Sequence, residues 1–208
     1  MKKAVSVVIV LCLLACMLTG CANEEERGEQ AEATKQFTDS VGRTVTVPEK
    51  ISKIAISGPL SQVYILPLAG DMLVGVSNSF SRDAELYLPA QIMELPEIGQ
   101  LYGGKGEMDL EALLAADPDV VIDIGEAKQG VVEDMDALSK QTGIPFVHID
   151  ATTETSAEAY RILGDLLSRQ NEAEELASWC EDTLAMMNSV MERVDADGRR
   201  KSILYCLG

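Results

Sequence analysis

Asp117-Pro118-Asp119-Val120-Val121-Ile122-Asp123-Ile124 is the stretch that decides the fold. Four of its last five side chains are β-branched and apolar, and Pro118 bars a helix from running into them. A short apolar run without polar alternation suits a strand buried on both faces. Just upstream, Asp109-Leu110-Glu111-Ala112-Leu113-Leu114 reads as a capped helix that ends at Asp117-Pro118. Downstream, a helix over Val131 to Gln141 stops at Gly143, and Pro145-Phe146-Val147-His148-Ile149 is a second strand. Toward the N-terminus the same alternation continues. Lys53 to Ser57 reads as a strand, followed by a helix from about Pro59 that Pro67 ends or kinks. Leu73 to Ser77 reads as a strand and Ala84 to Met93 as a helix, while Phe37 to Pro48 alternates around Gly42 as a small hairpin. Strands separated by helices imply an α/β lobe, doubly wound around a mostly parallel sheet.

Beyond Asp150 the pattern turns helical. Thr155 with Glu158, and Asn171 with Glu174, have capping-box spacing. Ala173, Leu176, Ala177, Cys180, Leu184, Met187, Val190, Met191 and Val194 recur at three- and four-residue steps. They predict one amphipathic helix of about 25 residues, closed by Asp197-Gly198. Ser202 to Cys206 then opens another strand, expected to be the first of a second lobe that is absent from this chain.

The N-terminus carries a different signal. Met1-Lys2-Lys3 precedes an apolar run from Ala4 to Leu18, broken at Ser6 and short of the roughly 20 residues of a membrane span. Leu18-Thr19-Gly20-Cys21 resembles the lipobox of bacterial lipoproteins. The resemblance implies that residues 1–20 are a signal peptide and that Cys21 is acylated, holding an extracytoplasmic protein on the cell membrane. The alternative is an ordinary signal peptide with an incidental cysteine. Residues 21–36 are then the lipidated Cys and a flexible acidic tether, with no apolar side chain larger than Ala after Cys21.

Charge limits the partners. The 208 residues hold 17 basic and 34 acidic side chains, and loss of residues 1–20 with Lys2 and Lys3 leaves 15 against 34, a charge of −19. Nucleic acid and anionic headgroups are repelled by such a surface. With 47% hydrophobic residues the chain still has material for a core. Of the cysteines, Cys180 and Cys206 remain, either as one disulfide or, preferred, as two buried free thiols.

Seven short motifs then occur in order: Thr38-Asp39-Ser40-x-Gly42-Arg43; the Lys53-Ile54 strand leading to Ser57-Gly58-Pro59; Gly70-Asp71-x-Leu73-Val74-Gly75-Val76; Leu95-Pro96-x-Ile98-Gly99; Asp109-Leu110-Glu111-x-Leu113; Asp117 to Ile122; and Thr142-Gly143-Ile144-Pro145. Together they resemble the solute-binding proteins of ABC importers for iron-siderophore complexes, cobalamin and haem. The resemblance implies two α/β lobes joined by a long helix, with ligand held between them, no catalysis and no cofactor. On this basis residues 37–155 are the N-terminal lobe, 156–197 the helices including the inter-lobe helix, and 198–208 the start of the truncated second lobe. Its implied partners are an ABC permease and a small-molecule ligand, a metal chelate, met by a monomer. A Glu on the first helix commonly docks such proteins to the permease. Gln62 stands at that position here, with Asp71 as a nearby substitute.

Ligands of open α/β sheets sit outside the carboxyl ends of the strands. That rule nominates Ser57, Gly58 and Pro59; Ser77, Asn78 and Phe80; Gly125 and Glu126; and Asp150 and Thr152. The loop holding Tyr102, Gly103, Gly104 and Lys105 joins them. Gly99 to Lys105 also meets the spacing of a phosphate-binding loop, but Gly106 stands where Ser or Thr would ligate magnesium, and Glu107 and Asp109 follow. His148, the one histidine, sits late in an apolar strand and reads as a core or rim residue. One imidazole does not make a transition-metal site. A hydrolase is disfavoured by the absence of a GxSxG elbow and of a second histidine.

Overall fold

The computed structural model describes residues 33–101, 108–198 and 201. The signal segment, Cys21, residues 102–107 and the expected strand from Ser202 lie outside the described residues.

Strands β1 (Thr34–Thr38) and β2 (Thr44–Pro48) form an antiparallel hairpin with Phe37 opposite Val45. It begins earlier than the expected Phe37, because Lys35 and Phe37 both turn inward while Thr34, Gln36 and Thr38 face out. The Lys35 Nζ donates to the Leu166 carbonyl at 2.9 Å, so residues 34–36 belong to the folded unit. At the turn, buried Asp39 accepts from the Val41 and Arg43 amides, the Arg43 guanidinium and the His148 amide. Arg43 also donates to the Phe146 carbonyl at 3.0 Å, which locks the hairpin onto the sheet edge.

That sheet is parallel, in the order β3 (Ile54–Ile56), β4 (Val120–Ile124), β5 (Phe146–Ile149). Asp119 sets its register: one carboxylate oxygen accepts from the Ser52 and Lys53 amides at 2.6 and 2.8 Å. Among the described residues six helices accompany it, α1 (Pro59–Ala69), α2 (Ala90–Met93), α3 (Leu110–Ala116), α4 (Val131–Thr142), α5 (Ser156–Leu167) and α6 (Gln170–Ala196). Ile54, Ile56, Ile122, Ile124, Val147 and Ile149 pack against Ile65, Leu163 and Ala173 of α1, α5 and α6. On the opposite face Ala55, Val121 and Phe146 meet Leu113 of α3 and Met135 of α4. Helices on both faces explain why these strands are buried throughout and read as apolar runs interrupted only at Asp123 and His148. The fold class is the expected doubly wound α/β lobe followed by a long helix.

Several elements depart from expectation for local reasons. The strand expected over Leu73 to Ser77 is reduced to isolated parallel bridges, Ile54 with Leu73 and Val76 with Glu97. The chain changes partner across Gly75, where a Cβ would come within 2.1 Å of Ile98 Cδ1. The expected helix through Ala84 to Met93 splits into a 3-10 turn (Arg82–Leu86) and α2, divided at Pro89. Helix α1 continues two residues past Pro67 before a 3-10 turn (Gly70–Met72). Neither capping box forms. The Thr155 hydroxyl accepts instead from the Thr152 amide at 2.8 Å, and Asn171 already lies inside α6, where Glu174 pairs with Arg161. Asp109 does cap α3, accepting from the Glu111 and Ala112 amides.

Candidate functional site

From β3 the chain moves outward to Leu73 on one side, then returns to β4 on the other side. The strand order therefore reverses between β3 and β4, and a crevice outside their carboxyl ends is the default ligand position in such sheets. A cleft of about 700 Å³ lies there, within the size range of small-molecule sites. Ser57, Gly58 and Pro59 at the mouth of α1 form one side, Asp123 to Glu126 the floor, and Ala151 to Glu154 the other side. Gly125 turns at φ 142°, a conformation that strains any other residue, and a Cβ there would sit 3.1 Å from Leu60. Its amide and carbonyl bond to Ile149 and Ala151, joining the β4 and β5 ends.

A polar network underlies the floor. Asp123 is nearly buried; its Oδ1 accepts a short hydrogen bond from the Ser57 hydroxyl and its Oδ2 meets His148 Nδ1 at 2.7 Å. Ser61 Oγ lies 3.1 Å from Ser57 Oγ and accepts from the Ile124 amide at 2.9 Å. Tyr64 closes the side wall, its hydroxyl 2.7 Å from Ser156 Oγ and its ring 5.1 Å from that of Tyr160. Ser57, Asp123 and His148 occur in the chain order of an α/β-hydrolase triad, but Asp123 sits between the other two. Serine donates to the carboxylate, and His148 Nε2 is buried without a partner among the described residues. The serine–imidazole contact that acyl transfer needs is not made.

Of the residues nominated from sequence, Ser57, Gly58, Pro59, Gly125, Glu126 and Thr152 line this cleft. Ser77, Asn78 and Phe80 do not; buried Ser77 donates through its amide and hydroxyl to Gln62 Oε1 at 3.1 and 3.2 Å. Asp150 also falls outside the lining. Tyr102, Gly103, Gly104 and Lys105 lie outside the described residues, although the preceding Leu101 amide donates to the Ser57 carbonyl at 2.7 Å. Gln62 is half-buried by its Ser77 contacts, and Asp71 pairs with Arg169 at 2.5 Å. Sequence reasoning missed Ser61, Tyr64, Asp123 and Lys128. Asp123 did carry a signal: a lone acid within a strand otherwise buried requires a reason.

The periplasmic binding protein family model matches residues 57–208, well over half of the sequence. The chain belongs to the periplasmic binding protein family. Solved structures agree with the lobe. An ABC transporter solute-binding protein from Sulfurospirillum deleyianum is 27% identical with a TM-score of 0.60, covering 69% of this chain and 45% of its own. A periplasmic solute-binding protein from Veillonella parvula gives 25%, 0.60, 76% and 48%. Staphylococcus aureus SirA, solved with staphyloferrin B, shares the fold at 18% identity, with a TM-score of 0.53, covering 73% of this chain and 48% of SirA. The chain thus spans about half the length of these relatives. No curated protein matches the sequence.

Proposed function

We propose that this chain is the ligand-receiving lobe and connecting helix of an extracytoplasmic solute-binding protein, which delivers a metal chelate to an ABC permease without catalysis. The ligand class is an iron-siderophore complex, cobalamin or haem. The cleft at the β3/β4 reversal carries this reading, because its wall combines hydroxyls, carboxylates and the Tyr64 ring over a volume that suits a large polar complex. Among the described residues no three His, Cys, Asp or Glu converge as a metal cage. The alternative is a metal-ion or oxyanion receptor of the same architecture. Calorimetry against ferric chelates, cobalamin, haem and molybdate separates them: saturable chelate binding is expected, and binding of molybdate alone would favour the alternative.

The anchor is proposed at Cys21, as a monomer tethered by its acyl chains. Cys21→Ser should release the protein from membranes or block its processing; unchanged partitioning would remove the anchor. Permease docking is proposed through Gln62 on α1, with Asp71 of the following 3-10 turn as a substitute contact. Gln62→Glu should raise transport at low salt and lose that gain at high salt, as screening predicts. A gain independent of salt, or none, would move docking elsewhere.

A further inference from the structure

We propose, resting on the solute-receptor reading above, that the ligand turns a positively charged group toward this wall, seated over Asp123 and Glu126. The protons around Asp123 determine this. The Ile124 amide must donate to Ser61 Oγ, so the Ser61 proton is directed to Ser57 Oγ, and Ser57 gives its own to Asp123. On the other oxygen, His148 Nδ1 supplies a second donor. A second imidazole proton would sit on Nε2, which is buried with no acceptor among the described residues, an arrangement that low-polarity surroundings penalise. Asp123 therefore receives hydrogen bonds while its charge is left uncancelled.

The rest of the lining does not restore balance. Glu126 is exposed at the mouth with no partner among the described residues, and Glu154 accepts only from Thr152 Oγ1 at 3.0 Å. Lys128 is the one cation of the lining among the described residues. The α1 N-terminus adds about half a positive charge, less the donor that Pro59 lacks. Residues 102–107 contain one Lys and one Glu and leave the sum as it was. At longer range the chain's charge of −17 repels anions on approach. A bare oxyanion or a polyanionic chelate meets repulsion here; a chelate bearing an ammonium or similar cation meets two carboxylates.

The test uses the full chain and one scaffold in three charge states: a ferric linear trihydroxamate with a free terminal ammonium, the same chelate N-acetylated, and the same chelate N-succinylated. Titration calorimetry at low salt should show affinity falling by about tenfold at each step from cation to anion. Glu126→Gln should shrink that preference while leaving the thermal melt unchanged, and Asp123→Asn should shrink it further. Because the readout is a ratio, it survives weak absolute binding. Equal or tighter binding of the succinylated chelate, or tighter binding of molybdate, overturns the inference and leaves the receptor reading standing. Binding of none of the three, nor of cobalamin, haem or molybdate, overturns the receptor reading, and the inference falls with it.

Discussion

At the scale of single residues, two buried side chains do more than the motifs that contain them suggest. Asp39 was legible only as part of a short turn motif, yet its carboxylate gathers three backbone amides and the Arg43 guanidinium. Removing it leaves those amides without their acceptor and Arg43 paired only with the exposed Asp136, so Asp39→Ala should cost about 3 kcal/mol in urea unfolding; a loss under about 1 kcal/mol would contradict the packing. Tyr160 is the second case. Burial, with Cys180 and Tyr64 beside it, pushes its phenol up to about 12 from 10.0. The folded state holds this proton after the unfolded state has lost it, so the contribution is intact below pH 10 and lost as pH rises toward 12. Wild type should lose about 1.4 kcal/mol per pH unit there relative to Tyr160→Phe. Parallel stability curves through that window would show the phenol to be solvated. Asp123 marks where sequence reading stopped short: its partners, Ser57 and His148, lie dozens of residues away on either side, and only the parallel register brings them together.

At the scale of elements, the strands and longer helices were readable because two-sided burial and a 3.6-residue period leave direct marks in composition. The strand at Leu73 was not, since its apolar run says nothing of the close approach to Ile98 that bends it at Gly75. The capping boxes misled because Thr155 and Glu174 are taken by other partners, the nearby Thr152 amide and Arg161 of the neighbouring helix. The predicted stripe of α6 is real, but only its first turns are covered: Ala173 and Ala177 are buried, while Met186, Met187, Val190 and Met191 are exposed. Small residues bring α5 and α6 together. A Cβ on Gly164 would lie 2.5 Å from that of Ala173 and 3.3 Å from the Arg169 carbonyl. Gly164→Ala should therefore destabilise by about 1–3 kcal/mol through overpacking, although alanine is the better helix former. Chemical denaturation decides the sign, and a stabilised variant would mean that the crossing relaxes freely.

At the scale of the whole molecule, the family and the doubly wound α/β class were legible, whereas the site was legible only in part. The rule of carboxyl strand ends nominates every such loop, but the reversal between β3 and β4 selects one cleft and leaves Ser77, Asn78 and Phe80 outside it. The chain spans about half of its relatives, and the described cleft is formed by residues of this half alone. The affinity of residues 21–208 for a chelate should consequently lie nearer millimolar than micromolar, roughly 4 rather than 8 kcal/mol. The central claim is that this wall receives the solute. Amide NMR shift mapping of residues 21–208 during titration with a gallium(III) trihydroxamate, a diamagnetic stand-in for the ferric complex, tests it most directly. Saturating shifts confined to Ser57–Ser61, Asp123–Lys128 and Ala151–Ser156 are predicted. Shifts centred instead on the separate groove lined by Arg43, Thr46, Asp136 and Ile144, or none at millimolar chelate, would contradict it.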